Sequence, residues 1–506
     1  GEGAFGRYRK GRTFVVRPLL AYLSRGLQPA RPGRLKREIQ HGSRGLKSLR
    51  KNLLDLHDIL SVMETTTFLP GMDLTEVGQQ VETSSDGAVA GPLRLRRPDR
   101  NQSLMQTCWL DEMLPADHQA RTVWAVVDKL DLTQFQESLK ARGSDPGRSA
   151  TDPKLLVALW LYATMEGIGS GREIARLCEC HDAFRWLCGG VPVNYHTLND
   201  FRVGHEKALD DLFTEVVAVL THKGVVSVKR ISQDGTKVLA NAGGGSFRKE
   251  GKLREHLAAA KAHVEAVKKL ADDGTVSAAK RAAQERAARE REERITAALA
   301  ELPKIQEDKI RSRDKKSMAK APRASTTDPE ARVMKMPDNG FRPAYNVQLA
   351  VDPTSRAIVG VDVVNARTDT KEAEPLREQV ERRTGQKVEE HLVDGGYVQK
   401  DRIEQAEARG TKMYAPVPKA RKDPRAYEVR KTDGPGVAAW RQRMAGEEGK
   451  AIYSQRGSTV ETVNADLKMF RGLSRMVVRG LKRVRSQVLW SALAYNLLHF
   501  AQVWIT

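Results

Sequence analysis

Three carboxylates have the types and settings from which phosphodiester chemistry can be built: Asp234 in RISQDGTKV, Asp394 in EEHLVDGGY and Glu461 in YSQRGSTVETVNADLK. Carboxylates brought together repel, and each raises the other's pKa unless positive charge sits between them. Two divalent cations roughly 4 Å apart meet that need, one activating a water or a 3′-hydroxyl and the other steadying the leaving oxygen. Mg²⁺ takes oxygen ligands and keeps several waters, so a few carboxylates suffice without histidine or cysteine. Each acid taken alone also has a plain structural reading. Asp234 and Asp394 both precede glycine, a common turn pair, and Glu461 near a helix start would favour the helix dipole.

The elements around these residues must bring them together. VVSVKRISQD alternates with period two and reads as a strand ending at Asp234, and VEEHLVDGGY reads as a short strand ending at Asp394. YNVQLAVDPTSRAIVGVDVV is two apolar runs about an Asp-Pro-Thr-Ser turn, and DTKEAEPLREQVERRTGQ has helical spacing and a closing glycine. Glu461 opens a helical pattern in which Tyr453, Arg456, Glu461 and Lys468 recur. Seven residues is nearly two turns, so Glu461 and Lys468 share a side about 10 Å apart along the axis. Arg475 and Lys482 continue the same spacing if the helix survives Gly472, although Gly472 and Gly480 weaken that continuity.

The remaining segments differ in character. Residues 1–95 read as a poorly structured basic extension with no assignable role, and residues 105–222 as a helical N-terminal domain. Within it, DEMLPADHQARTVWAVVDKLDLTQFQESL predicts a helix. Residues 153–220 carry three helical patterns joined by glycine-containing turns, which suit a helix-turn-helix-like DNA module or a plain helical bundle. Residues 223–503 read as a second domain, interrupted at 250–320 by an Ala-, Lys-, Arg- and Glu-rich helical hairpin or antiparallel coiled coil with a basic tail. That insertion reads either as a solvated charged excursion or as a DNA clamp or dimer arm.

Composition narrows the function classes. A net charge of +21 and a pI near 9.8 predict salt-dependent attraction to a polyanion. Four cysteines in 506 residues are too few for a disulfide scaffold. The Cys178, Cys180, His181, Cys188 cluster departs from the spacing of a zinc knuckle and reads as ordinary buried thiols. VLWSALAYNLLHFAQVWI is interrupted by Asn496, His499 and Gln502 and reads as a buried helix rather than a membrane span, so a cytoplasmic protein is expected.

At these residues the chain resembles the DDE transposases of bacterial insertion sequences, specifically the group with an InsH-like helical N-terminal domain and a C-terminal Y-R-E-K signature. The resemblance spans roughly 105–503. It rests on DEMLPADHQARTVW, NYHTLNDFR, ISQDGTKVLAN, TTDPEARVMKMPDNGFRPAYNVQLAVD, LVDGGY, the Tyr453–Lys468 motif and RGLKRVRSQVLWSALAYNLLHF. It implies an α+β (α/β) fold, with a helical DNA-binding domain preceding an RNase H-like mixed-sheet catalytic domain that carries the charged helical insertion. Asp234, Asp394 and Glu461 would hold two Mg²⁺ or Mn²⁺ ions, while Tyr453, Arg456 and Lys468 would contact element-end DNA and Arg475 and Lys482 would extend the basic track. The partners implied are double-stranded DNA, as element inverted repeats and target, and further copies of the chain as a dimer or larger assembly, with no membrane. The charged insertion follows the first strand, unlike relatives whose large insertion lies just before the catalytic glutamate. A catalytically silent DNA-binding derivative and an RNase H-like nuclease without strand transfer remain open alternatives.

Overall fold

Pro115 sets the first departure from the sequence pattern, because a proline lacks an N–H and disfavours helix in the residue before it. Instead of one helix over 111–139, the computed structural model has a 3₁₀ turn at Leu110–Met113, then α1 (Gln119–Asp128) and the short α2 (Thr133–Gln136). Asp131 starts the second break by accepting the Thr133 N–H at 2.9 Å. The structure describes residues 100–101, 107–137, 139, 141, 149–270, 277–311 and 318–505. The expected 1–95 extension, and the part of the insertion's basic tail at 312–317, lie outside the described residues.

The three helical patterns of 153–220 resolve into five helices: α3 (Pro153–Met165), α4 (Gly171–Cys180), α5 (Asp182–Cys188), α6 (Tyr195–Gly204) and α7 (Glu206–His222). Asp152 and Asn194 supply the caps of α3 and α6, accepting from Lys154 N and His196 N at 2.8 Å each. His181 divides α4 from α5, its Nδ1 accepting from Ala183 N. Of the three cluster cysteines expected to be buried thiols, Cys188 is buried and Cys178 half-buried, whereas Cys180 is exposed.

A mixed sheet follows. β1 (Arg230–Leu239) leads through β2 (Phe247–Arg248) into the helical hairpin α8 (Glu250–Leu270) and α9 (Ala278–Arg311), which returns through β3 (Ala324–Ser325). The hairpin has its own small core of Leu253, Ala260, Ile295, Ala298, Leu302 and Ile305. Then come β4 (Arg332–Lys335), β5 (Phe341–Val351), β6 (Ile358–Val364), α10 (Ala373–Thr384), β7 (Glu390–Leu392), α11 (Lys400–Ala408) and β8 (Lys412–Tyr414). β5 is the hub: β1 pairs antiparallel along one edge, β6 and β4 antiparallel along the other, and β7 and β8 extend from β1 in parallel. α12 (Pro435–Ala445), α13 (Glu447–Phe470), α14 (Leu481–His499) and the short α15 (Gln502–Ile505) complete the chain.

Residues 104–506 form one compact unit, and a continuous apolar core joins the α3–α7 bundle, the sheet and α14. α14 is the expected buried helix. Trp490 lies among Trp160 and Phe201, with ring centroids 6.4 and 6.3 Å away. Asn496 donates to Ile358 O at 2.8 Å and accepts from Ile358 N at 2.9 Å, satisfying both polar atoms at the start of β6. Asp210 of α7 takes ion pairs from Arg383 of α10, at 2.5 Å, and from Arg485 of α14, at 2.9 Å, tying the bundle to the sheet's covering helices. Among the described residues, no helix is long and apolar enough to cross a membrane.

Because Trp490 is fully buried at this junction, Trp490→Ala should lower unfolding free energy by about 3–5 kcal/mol. Met469→Ala, at an exposed position, should stay within about 0.5 kcal/mol. Urea denaturation of the two variants checks the contrast.

Candidate active site

β1 does not stop at Asp234, contrary to the sequence expectation. Asp234 sits mid-strand opposite Leu349, and pairing with β5 continues to Leu239. Gly235 is therefore no turn residue. Its missing side chain lets a fourth acid, Asp369, lie against the strand: a Cβ at 235 would collide with Asp369 Oδ1 and Gln348 Nε2. Asp394 follows β7 and does form a turn, capping a short 3₁₀ segment by accepting from Gly396 N at 2.8 Å. Glu461 does not open its helix: α13 begins at Glu447, so the carboxylate is mid-helix and the dipole reading falls away.

α13 carries Tyr453, Arg456, Glu461 and Lys468 on one continuous helix. Arg456 is buried, and its guanidinium lies 3.3 Å from Glu461 Oε1 and 3.8 Å from Asp234 Oδ1. Burial works against its charge, but Tyr453, Asp234 and Asp394 together hold its pKa above the ordinary value. Lys468 is half-buried and held below its ordinary value by desolvation, with the attraction of Asp234 opposing and the repulsion of Lys237 assisting. Arg475 and Lys482 are not on this stripe. The helix ends at Phe470, Gly472 adopts φ 70°, Arg475 bridges Leu239, and Gly480 at φ 86° precedes the separate α14. Gly472 and Gly480 take left-handed conformations that a continuing helix cannot accommodate.

Asp234 records the electrostatics. Burial raises its pKa first, the Arg456 guanidinium opposes this, and Asp394, Asp369 and Glu461 add repulsion, leaving it at about 6. Its Oδ2 accepts from Asn464 Nδ2 at 3.0 Å. Asn464 lies three residues after Glu461 on α13 and so shares its face, a relation the helical spacing alone could have revealed.

Beneath the acids runs a polar network that the sequence patterns did not signal. Asp369 Oδ1 accepts from Asn346 Nδ2 at 2.6 Å, Gln348 Nε2 at 2.8 Å and Lys237 Nζ at 3.3 Å. Gln348 Oε1 accepts from Tyr397 OH and from Gln233 Nε2. His391, pressed by burial to about 3 and hence neutral, donates through Nε2 to Gln233 Oε1 at 2.9 Å. The network thus links β1, β5, β7 and the turn holding Asp394.

The donor set suits a hard divalent cation in type. The acids supply oxygen, and Asn464 Oδ1 is a buried oxygen without a hydrogen-bond partner beside Asp234. The side chains are not gathered as a ready cage: among the described residues no group of three or more acids, histidines or cysteines is close enough to hold an ion. Instead, Arg456 supplies the positive charge between Asp234 and Glu461.

Comparison with known proteins adds independent findings. Residues 316–497 match the family model described as the transposase DDE domain, and residues 109–204 match the one described as a transposase domain (DUF772). The first match includes Asp369, Asp394 and Glu461 but not Asp234, which lies before the helical insertion. No curated protein and no solved structure gives a match.

Asp234 titrates at about 6 in the folded chain, against 3.8 ordinarily. Its ionisation therefore penalises the metal-free fold: the penalty is absent below the ordinary value, grows as pH rises from about 4 to 6, and persists above. A rise of about two pH units corresponds to about 3 kcal/mol. Asp234→Asn, which mimics the protonated acid, should be more stable than the unaltered protein by that order at pH 8 in EDTA, and the gap should close near pH 4. Paired denaturation curves at the two pH values measure it; a gap independent of pH contradicts the assignment.

Proposed function

The chain belongs to the DDE transposases of insertion sequences, and from that premise we propose that it cuts the ends of its element and joins the exposed 3′-hydroxyls to target DNA. The observation that carries this reading is the convergence of Asp234, Glu461 and Arg456, with Asp394 near enough to add repulsion at Asp234. The strand order, three antiparallel strands (β6, β5, β1) followed by two parallel ones (β7, β8), supports an RNase H-like catalytic core.

In this proposal Asp234, Asp394 and Glu461 are the residues that hold two Mg²⁺ or Mn²⁺ ions. Bound ions would activate the water or 3′-hydroxyl nucleophile and neutralise charge developing on the phosphate. The protein's own contribution is positioning. Gly396 N–H fixes the Asp394 carboxylate, Asn464 fixes Asp234, and α13 presents Tyr453, Arg456 and Lys468 to the DNA backbone. Arg456 has two tasks in sequence: in the metal-free protein it compensates the acids, and on DNA its guanidinium has the fork geometry to bind phosphate. Lys468, half-buried near Asp234, is the second phosphate contact. Arg475 and Lys482 lie off the stripe and are exposed, so they act as peripheral DNA contacts.

The test uses labelled duplex ends carrying whatever inverted repeats the DNA on either side of the reading frame is found to contain. With Mg²⁺, the unaltered protein should release ends bearing a 3′-hydroxyl and join them to a second duplex. Asp234→Asn, Asp394→Asn and Glu461→Gln should each lower both steps by about 10³-fold or more, the scale of losing a principal electrostatic contributor. Cleavage without joining would identify a nuclease instead, and binding without cleavage a DNA-binding module.

A further inference from the structure

The base of the helical insertion forms a groove of about 890 Å³ against β4 and the start of β5. Lys249, Lys309, Lys320, Arg323, Lys335 and Arg367 line it, and no Asp or Glu is among the described residues that do. A seventh cation, Arg332, also lines the groove; it is buried and paired with Glu301 of α9, which pins the insertion to the sheet. Lys249, Lys320, Arg323, Lys335 and Arg367 are exposed. Lys309 is buried, donates to Lys320 O at 2.5 Å, and is held below its ordinary pKa by desolvation and then by the repulsion of Arg367, Arg323 and Lys320. Five exposed cations, with Lys309 beneath them, therefore share one concavity that no described carboxylate lines. Such a surface raises the local concentration of an anion and favours one that brings several negative charges at fixed spacing.

The position of the groove selects the anion. Arg367 stands two residues before Asp369, which lies against Gly235 and so adjoins Asp234. Two residues span at most about 7 Å, so one wall of the groove belongs to the same loop as the acid beneath the candidate active site. We propose that this groove binds the sugar-phosphate backbone of the DNA duplex held at the active site, making the helical insertion a DNA-binding element. The proposal rests on the transposase reading above. The groove reads charge rather than base identity, because Lys and Arg contacts to phosphate carry no sequence information.

The test is salt-dependent binding of the full-length protein, without metal, to a mixed-sequence DNA duplex, alongside an RNA duplex of the same sequence. Each phosphate contact contributes about 0.9 to the slope of log affinity against log salt. K320A/R323A/K335A should therefore reduce the slope for DNA by about 2 to 3. In the unaltered protein, the DNA duplex should shield Lys320 and Lys335 from acetylation, a readout that does not depend on the variant's folding. An unchanged slope, or lysines equally reactive with and without DNA, overturns the groove while leaving the transposase reading standing. Preference for the RNA duplex, lost in the variant, would make the groove an RNA site and overturns it too. Failure of the unaltered protein to bind any duplex would instead strike the transposase reading.

Discussion

Crowding of negative charge around Asp234 is the constraint on which the site depends. A carboxylate in the middle of a sheet strand is costly to bury, and Asp394, Asp369 and Glu461 make it costlier. The fold meets this with one guanidinium. Arg456, buried on α13 and reaching both Asp234 and Glu461, lets the acids coexist in a protein without metal. On the proposed function the same crowding would favour divalent cations, since anything that replaces Arg456 there must bring at least its charge.

The surroundings follow from that constraint. Asp234 and Gly235 are adjacent because the strand must carry an acid on one residue and make room for Asp369 at the next. Gln233, Gln348, Asn346, His391 and Tyr397 fill the space beneath with neutral hydrogen-bonding groups, which fix the acids' supports without adding charge. The insertion between β1 and β4 leaves this arrangement undisturbed because its helices pack mainly on each other and are pinned to the sheet through Glu301 and Arg332.

Much of this was legible in the sequence, for identifiable reasons. The β5–β6 hairpin, α10 with its closing Gly385, the charged helical hairpin and the buried α14 all carry periodicities strong enough to declare themselves. The seven-residue spacing of Glu461 and Lys468 survives as a single helix. Glycine caused most of the misplacements. Gly235 reads as a turn but is a point of close approach, and Gly449 and Gly457 conceal that α13 starts fourteen residues before Glu461. Asp369 was invisible because nothing in NARTDTKEAEP distinguishes it from a loop acid. Its role comes from strands more than twenty residues away in sequence, and only tertiary packing brings Asn346 and Lys237 to it.

The central claim is that the acids at 234, 394 and 461 together hold divalent cations where Arg456 now supplies the charge. Titration of the full-length protein with Mn²⁺, followed by the loss of the free ion's paramagnetic resonance signal, addresses it most directly. The account predicts saturable binding that is lost in Asp234→Asn and weakened in Asp394→Asn and Glu461→Gln, yet unchanged in Glu447→Gln, whose exposed acid lies at the far end of the same helix. Binding that survives all three active-site substitutions would contradict it.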